Sequence, residues 1–544
     1  MDDYLAIIGN PFVEKIHGIK DYFKDQTPFF LSHRAFPILS FAFNYHFFGD
    51  KEYSFHAVSI IFHLLNAYLI YFLLTFLGYR YIDRDKANIR LAVFLTVLIF
   101  IVHPLHTNSV SYLSKRDVLF EAFFYLLAFY TYLHFRHGNK KKVLYGLSVL
   151  VCFILAFWSK ETAITFPVVV FFYELCFIQR SKKELKTFFI VAGFIFLLLL
   201  IYVFFFYKGV GLLNYRPGGG EAVYGFSSTE LWGPVENMYS QSIVLLHYWK
   251  MFLLPLPSFL NLDHGFPLHS HFSFVVGAAI IINIFLLFLA YGLYKRNYLL
   301  SAFGILWFYV ALLPESSVLP IKELMVDYRT YPASLGFILI LFEVIVLNVS
   351  RVKFFIGGVI FLFMLGTIER NTICDTNLTL WKDVVKKSPQ SDRGHINLGI
   401  EYQKKQMNDE ALQEYKAALK INPDSYAINK NLAGFYINNV NKPKEALYYL
   451  NRLKTLGLAD YSDYAEMSRL YSLIGYFDDA YRSVSLLLKI APEKPDGHYW
   501  LGMLLKSIGK TDEAIIAFKN ALKIDPNHVF AKNNLKVLLK NKKK

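Results

Sequence analysis

From about residue 55 to residue 365 the sequence is a train of apolar runs, each close to the length of a membrane-spanning helix. A helix needs ~20 mostly apolar residues to cross the hydrocarbon core, where no water satisfies backbone polar groups. We predict spans at residues 55–77, 91–107, 118–135, 143–158, 162–180, 187–207, 271–294, 298–314, 331–349 and 354–369. The pattern predicts an all-α, multi-pass membrane protein.

Basic segments between the apolar runs predict the orientation of the spans. Lys and Arg accumulate on the cytoplasmic side of a membrane. Basic loops lie at residues 78–90, 135–142, 179–186, 294–297 and 350–353. All five basic loops lie on the cytoplasmic side only if the weaker apolar segment 238–256 does not cross the membrane. We therefore interpret this segment as an interfacial or re-entrant helix on the outer side. Both termini are then predicted outside, and we expect a further helix upstream of residue 1.

The C-terminal part carries a repeat of small and large residues. Pro492 and Pro526 are 34 residues apart, which is the period of the tetratricopeptide repeat (TPR). We predict about four units over residues 392–527, the second degenerate with a one-residue slip near Pro443. Such arrays stack into a solenoid that binds extended peptides, although a purely structural cap or a dimerisation surface is the alternative.

These patterns predict four segments. Residues 1–370 form the membrane domain, 371–391 a linker, 392–527 the repeats, and 528–544 a capping helix with a Lys-rich tail. The net charge of +15 lies largely in short loops and the tail, where it is typical of a topology signal, so we predict no nucleic-acid binding. Three cysteines without a CxxC pair predict neither a zinc site nor a disulfide framework.

Polar residues cluster in the segments predicted to face outward. Polar groups near membrane depth are costly and are often functional. The candidates are Asp2, Asp3, His103, His106, Arg116, Asp117, Lys160, Glu161 and Arg329. The structural alternatives are a solvated terminus for the acidic pair, helix-end turns for the histidines, and interface anchoring for the cations. We predict no metal site at the histidines, because no further ligands lie nearby in sequence.

The order of several segments along nearly the whole chain resembles one known family. These segments are DDYLAIIGNPFV, HPLHTNSVSYLSKRD, SKETAITFPVVVFFYEL and LLPESSVLPIKELMVDYRTYPASLGF, followed by LWKDVVKKSP and the repeats. They are similar to the bacterial relatives of the transmembrane-and-TPR protein O-mannosyltransferases, which are GT-C glycosyltransferases. This chain departs from the family pattern at Asn108 and Asp327, where family members often have Glu.

The resemblance implies a GT-C-like membrane domain and an inverting sugar transfer from a polyprenyl-phosphate donor. The acidic pair Asp2 and Asp3 would contain the base that takes the proton of the acceptor hydroxyl. Arg329, Lys160 and Arg116, in that order, would stabilise the leaving phosphate. Asp117 and Glu161 would orient the sugar or these cations. His103 and His106 match the family's HPxHTE-like segment and would belong to the donor-binding site.

We therefore expect a membrane glycosyltransferase (a hexosyltransferase) that moves a mannose-like sugar to a protein or peptide hydroxyl on the outer face of the membrane. Its partners would be the polyprenyl-phosphate-linked sugar, membrane lipid, and an acceptor presented by the TPR array. The expected location is a bacterial inner membrane with the repeats on the extracytoplasmic side. No cofactor is expected, and the need for a divalent metal is left open. The alternative is a non-catalytic, membrane-anchored TPR scaffold for envelope protein assembly.

Overall fold

The computed structural model describes residues 35–138, 141–178, 233–317 and 323–542, together with residues 184, 186 and 193. Within these ranges every regular element is a helix and there is no strand, which confirms the all-α prediction. The described residues up to Lys387 form one compact unit, and those from Ser388 onward form a second. Asp2, Asp3 and nearly all of the predicted span 187–207 lie outside the described residues.

The first unit contains twelve described α-helices linked by short 3₁₀ turns. The α-helices are α1 (Ala35–Phe48), α2 (Glu52–Tyr81), α3 (Lys86–Val102), α4 (Thr107–Ser111), α5 (Arg116–His137), α6 (Lys142–Ser159), α7 (Phe166–Phe177), α8 (Pro234–Leu253), α9 (Phe274–Lys295), α10 (Leu299–Leu312), α11 (Thr330–Ile373) and α12 (Asn377–Lys387). The 3₁₀ turns are Pro104–His106, Leu113–Lys115, Glu161–Thr165 and Asp327–Arg329.

Several of these helices are long and apolar enough to span a membrane. In the part of the chain that the structure describes, five segments qualify, and a sixth is obtained if α3 is joined to residues 104–111 across a 45° bend. The five are Glu52–Tyr81, Leu113–His137, Lys142–Ser159, Phe274–Lys295 and Asp327–Ile373. The chain is therefore a multi-pass membrane protein, and α8 is a 20-residue helix that does not meet the same criterion.

Helix α11 reverses direction within its 44 residues. A straight helix of that length would extend ~66 Å. Yet Asn108 donates to the Asp327 carboxylate just before α11 (3.0 Å) and accepts from Arg370 near its end (3.4 Å). The reversal occurs at Asn348, whose φ of −127° and ψ of 15° are not helical. Helix α11 thus consists of two limbs, in agreement with the predicted spans 331–349 and 354–369, but a single broken residue replaces the predicted loop.

Two other predicted spans have different bounds in the structure. The span predicted at 91–107 ends at Val102, because the residue before Pro104 is disfavoured in helical conformation. The span predicted at 162–180 begins as the 3₁₀ turn Glu161–Thr165, and α7 starts only at Phe166. Pro167 lies in the first turn of α7, where its missing N–H costs nothing.

Helix α10 is buried inside the bundle and crosses α11 closely. It has 14 residues, about 21 Å, and most of its side chains are buried. Gly304 on α10 and Gly336 on α11 face each other so closely that a Cβ on either would collide with the carbonyl oxygen of the other. Small residues at a crossing point let membrane helices pack tightly without hydrophobic pressure from water.

The stretch 371–391, predicted as a linker, contains the helix α12. Arg370, at the end of α11, donates to Asp383 on α12 at 2.6 Å, and Lys387 donates to the same carboxylate oxygen at 2.7 Å. Lys387 also donates to the carbonyl of Leu260 at 3.0 Å. Helix α12 is consequently held on the first unit by charged hydrogen bonds.

The second unit is a row of helix–turn–helix pairs. Its helices are α13 (Asp392–Lys404), α14 (Asn408–Ile421), α15 (Tyr426–Asn438), α16 (Pro443–Thr455), α17 (Tyr461–Leu473), α18 (Phe477–Ile490), α19 (Pro495–Ser507), α20 (Thr511–Ile524) and α21 (Val529–Lys542). The first eight form four pairs, and α21 packs against α20.

The repeat is visible in the backbone of the four pairs. A left-handed residue lies in the turn inside each pair, at Gln406, Asn441, Gly475 and Gly509. The first interval is 35 residues and the next two are 34. Gly399 and Ala433, at equivalent positions of the first helix in the first two pairs, are 34 residues apart. The extra residue therefore comes after Ala433, at the end of α15. The one-residue slip predicted near Pro443 is therefore an insertion at this turn.

Glycine and alanine permit the close helix contact within each pair. A Cβ at Gly399 would lie 2.7 Å from the Tyr415 ring, and one at Gly502 would lie 2.7 Å from the Phe518 ring. Alanines that follow each left-handed turn by five residues are fully buried. They are Ala411, Ala446, Ala480 and Ala514. These small residues explain why the sequence repeats with this period.

Candidate functional site

A buried ion cluster lies where three chain segments meet at one end of the membrane bundle. Lys160 follows α6, Glu315 follows α10, and Arg329 immediately precedes α11. Glu315 Oε1 lies 2.8 Å from Lys160 Nζ and 3.6 Å from Arg329 Nε. The side chains of the two cations are each 4 % exposed, and that of Glu315 is 12 % exposed. Two buried cations therefore share one carboxylate.

Further contacts hold Arg329 in place. Its Nη1 donates to the carbonyl of Glu323 at 2.6 Å, and its Nη2 lies 3.8 Å from the Glu323 carboxylate. The side chain of Glu323 is 27 % exposed, so this second pairing is weaker than that with Glu315. The guanidinium is anchored through the backbone, while its charge remains shared with nearby carboxylates.

Acidic residues on α5 complete the surroundings of Lys160. Glu121 accepts a hydrogen bond from Thr162, and its other carboxylate oxygen has no hydrogen-bond partner among the described residues. Burial lowers the pKa of Lys160, but the carboxylates of Glu315, Glu121 and Asp117 outweigh it and hold the pKa above its ordinary value. The ammonium therefore remains charged at neutral pH.

A second buried carboxylate, Asp327, organises the neighbouring loops. It accepts hydrogen bonds at Oδ2 from the Asn108 side chain (3.0 Å) and from the Asn261 backbone (3.0 Å). His264 Nε2 lies 2.6 Å from Oδ1. Asp327 is 1 % exposed, so these partners replace the water that a carboxylate needs. Asn108 and Asp327, the two positions at which the chain departs from the family pattern, are thus hydrogen-bonded to each other.

The two predicted histidines lie on an aromatic cluster instead of in the ion cluster. His103 Nε2 is 3.2 Å from the carbonyl of Phe252, and His106 Nδ1 is 2.9 Å from that of Phe100. The ring of His106 lies 4.9 Å from that of Tyr331. Both histidines are buried, and Nε2 of His106 has no hydrogen-bond partner in the described part of the chain.

Arg116, although next to Asp117 in sequence, has a different set of contacts. It donates to the carbonyl of Phe55 at 2.8 Å and to Ser40 Oγ at 3.2 Å. Its guanidinium carbon lies 4.2 Å from the centroid of the Phe41 ring. These contacts tie α1 and α2 to the start of α5. Arg116 and Asp117 have different surroundings because successive residues of a helix point ~100° apart.

The structure thus brings together some of the predicted residues and not others. Lys160 and Arg329 meet at Glu315, and Asp117 acts on Lys160 electrostatically. Glu161 opens the 3₁₀ turn that follows Lys160. Asp2 and Asp3 lie outside the described residues. Within the described ranges no group of three or more His, Cys, Asp or Glu side chains is arranged to hold a metal ion.

Two carboxylates of this site were not selected from the sequence. Glu315 is 155 residues from Lys160, and Glu121 is 41 residues from Thr162. A signal for Glu121 was available, because an ionisable residue inside an otherwise apolar span is costly and commonly functional. Glu315 carried no comparable signal, since its role depends on which segments meet.

Together, the apolar bundle and the repeat helices define a multi-pass membrane protein with a C-terminal TPR array. Tetratricopeptide-repeat family models match residues 392–425 and 495–528. Among solved structures, the TPR protein YrrB covers 32 % of this chain and 87 % of its own, with 20 % identity and a TM-score of 0.28.

One curated relative extends the similarity into the membrane part, because its match is longer than the second unit. Protein O-mannosyl-transferase F38B6.6 of Caenorhabditis elegans is 24 % identical over 446 residues, which cover 78 % of this chain and 59 % of that protein. Human protein O-mannosyl-transferase TMTC4 is 34 % identical over 117 residues, 20 % of this chain and 16 % of that protein. Mouse TMTC3 is 28 % identical over 184 residues, 32 % and 19 % of the two chains.

The chain is therefore a relative of the protein O-mannosyl-transferases that carry tetratricopeptide repeats. It spans about three fifths of the length of the Caenorhabditis elegans relative. The resemblance identified from the motifs is confirmed by these comparisons.

Proposed function

We propose that this protein is a GT-C-type membrane glycosyltransferase that moves a mannose-like sugar from a polyprenyl-phosphate donor to a hydroxyl group of a protein. The observation that carries the proposal is the similarity to a protein O-mannosyl-transferase over 78 % of the chain. The buried cluster of Lys160, Glu315 and Arg329 supports it, because a departing phosphate requires preorganised cations.

In the proposed reaction the acceptor oxygen attacks the anomeric carbon of the sugar, and the bond from that carbon to the phosphate oxygen breaks. The electron pair leaves with the polyprenyl phosphate. Lys160 and Arg329 stabilise the negative charge that develops on this phosphate. A carboxylate of the pair Asp2 and Asp3 takes the proton of the acceptor hydroxyl. In this proposal the donor phosphate competes with the Glu315 carboxylate for Lys160 and Arg329.

The remaining predicted residues have supporting roles in this proposal. Asp117 and Glu161 orient Lys160 or the sugar, and His103 and His106 line the same end of the bundle. Arg116 acts indirectly, by holding α1 and α2 against α5.

The membrane arrangement follows from the basic loops. The cluster and the repeats lie on the extracytoplasmic side of a bacterial inner membrane. The lipid donor enters from the bilayer, and the TPR array presents the protein acceptor from the aqueous side. This division suits a reaction between one lipid-soluble and one water-soluble substrate.

The test is sugar transfer by the full chain in liposomes. The substrates are polyprenyl-phosphate-linked mannose with a radioactive label and a mixture of envelope proteins. We expect Arg329→Gln to reduce kcat by about 10²–10³-fold, as loss of one charge-stabilising donor does elsewhere. Arg296→Gln is the matched control, since Arg296 is exposed at the end of α9. Undiminished transfer by a folded Arg329→Gln variant would refute the assigned role.

Loss of the proposed base should reduce kcat by a similar factor. The double change Asp2→Asn and Asp3→Asn should lower kcat by roughly 10²–10⁴-fold. If the unaltered protein transfers no sugar, and the membrane-bound repeats instead retain envelope proteins, the scaffold alternative replaces the enzyme.

A further inference from the structure

A polar cleft lies at the opposite end of the membrane bundle from the ion cluster. Its volume is about 730 Å³. It is bordered by the segment between α2 and α3 and by the break in α11. Its lining includes Asp83, Arg84, Asp85, Asn88, Asn348 and Arg351. We refer to it as the Asn348 cleft.

The position of the Asn348 cleft follows from helix length. Asn348 lies 19 residues beyond Arg329 along the first limb of α11. At 1.5 Å per residue this corresponds to ~28 Å, close to the ~30 Å thickness of the hydrocarbon core. The ion cluster at Arg329 and the Asn348 cleft therefore lie near opposite membrane boundaries, where lipid head groups are found.

The cleft presents cations that other side chains do not neutralise. Arg84 and Arg351 are exposed, and neither forms an ion pair with any residue that the structure describes. Asp85 accepts hydrogen bonds from the backbone and side chain of Asn88, so it caps α3. Asp83 is then the other acidic residue lining the cleft. The two guanidinium groups remain available for an anion.

The surrounding sequence is also positively charged. Residues 80–90 and 350–353 contain six Lys or Arg residues and two Asp residues. Basic clusters at a membrane boundary attract anionic lipid head groups, and guanidinium groups bind phosphate oxygens in pairs. The excess positive charge of the segments that flank the cleft therefore favours an anionic ligand over a zwitterionic one.

Apolar side chains continue from the cleft along the lipid-facing side of α11. Phe354 and Phe355 follow Arg351 by one turn and are 83 % and 70 % exposed. Exposed aromatic side chains on a membrane helix contact lipid chains. A phospholipid whose phosphate is held by Arg351 would place its acyl chains next to these rings.

We propose that the Asn348 cleft binds the head group of an anionic phospholipid, with Arg84 and Arg351 holding its phosphate and Phe354 and Phe355 contacting its acyl chains. The break at Asn348 creates the cleft, because a continuous helix would not turn back on itself and leave this space. The site is distinct from the proposed donor site and does not depend on the glycosyltransferase proposal.

The experiment measures lipid binding by the full chain in detergent micelles. Dioleoyl phosphatidylglycerol, dioleoyl phosphatidylethanolamine and sodium phosphate are titrated separately and followed by native mass spectrometry and by the melting temperature. We expect phosphatidylglycerol, the anionic lipid of the two, to bind most tightly. The double variant Arg84→Ala with Arg351→Ala should weaken its binding about 25-fold, a factor of about 5 for each cation.

The matched control is Arg90→Ala, since Arg90 is exposed on α3 near the same boundary but does not line the cleft. It should leave the affinity within about twofold. The conservative change Arg84→Lys with Arg351→Lys checks folding and should retain most of the binding. Equal loss in Arg90→Ala, or no loss in the double alanine variant, would overturn the site. Equal affinity for both lipids would overturn its anionic preference, and binding of free phosphate alone would overturn its assignment to a lipid.

Discussion

Replacing Glu315 with glutamine removes the carboxylate that Lys160 and Arg329 share, at nearly constant volume. Its Oε1 lies 2.8 Å and 3.6 Å from the two cationic nitrogens. At an effective dielectric constant of ~20 these separations correspond to about 6 and about 5 kcal/mol of attraction. The desolvation of the buried groups opposes most of this, and removal of one partner from a buried ion pair commonly costs about 3–5 kcal/mol.

We therefore expect Glu315→Gln to lower the free energy of unfolding of the first unit by about 3–5 kcal/mol. Chemical denaturation in detergent micelles, followed by tryptophan fluorescence, measures this change. The signal comes mainly from that unit, because five of the six tryptophans precede residue 388 and only Trp500 follows it. The control is Glu323→Gln, whose carboxylate lies 3.8 Å from Arg329 and is 27 % exposed, so its loss should cost about 1 kcal/mol or less.

The same variant distinguishes a structural ion cluster from a phosphate site. If Lys160 and Arg329 bind the donor phosphate, polyprenyl phosphate should restore part of the stability lost in Glu315→Gln, because the phosphate supplies the missing negative charge. The uncharged polyprenol should not. A loss below about 1 kcal/mol would refute the reasoning about shared charge, and equal effects of polyprenol and its phosphate would refute the phosphate assignment.

Two further predictions concern the repeats and the bundle. His395 lies 2.6 Å from Glu414, and this hydrogen bond raises the pKa of His395. The stabilisation from this pair is present below pH ~6.5 and is lost as the pH rises through the raised pKa. The free energy of unfolding of the repeats should therefore fall by about 0.5–1 kcal/mol between pH 6 and pH 9. Urea denaturation monitored by circular dichroism would show this loss, and its persistence in Glu414→Gln would contradict the assignment. Gly336→Ala should destabilise the bundle by about 1–3 kcal/mol, since the new Cβ meets the Gly304 carbonyl. Gly358→Ala on the same helix meets no atom within 4 Å and should be neutral or stabilising; equal melting temperatures of the two alanine variants would argue against the close crossing.

The membrane helices were predictable because the bilayer imposes a local requirement. Helix α2 and helix α9 coincide closely with the apolar runs 55–77 and 271–294. The exceptions are the bounds near Pro104 and Pro167, where proline changes the backbone, and α11, where a single residue replaces a loop. These details depend on individual dihedral angles, which apolar content does not determine.

The candidate site was predictable only in part. Lys160 and Arg329 were selected because both lie at span ends on one predicted side, and they meet in the structure. Arg116 was selected on the same ground, but it packs on the rings of α1 and α2. Adjacent residues of a helix point in different directions, so position along the chain did not separate Arg116 from Asp117.

The sequence by itself determined the properties that repeat or persist locally: the apolar helices, the 34-residue period of the repeats, and the kinship with protein O-mannosyl-transferases. Tertiary structure alone decided that Lys160 and Arg329 share Glu315, that Asn108 joins Asp327 to Arg370, and that α11 reverses to form the Asn348 cleft. Helix formation depends on contiguous residues and the surrounding solvent. By contrast, the Lys160–Glu315 ion pair joins residues 155 positions apart, and the hydrogen bond from Arg370 to Asn108 joins residues 262 positions apart. Only packing of the whole bundle brings such residues within hydrogen-bond distance.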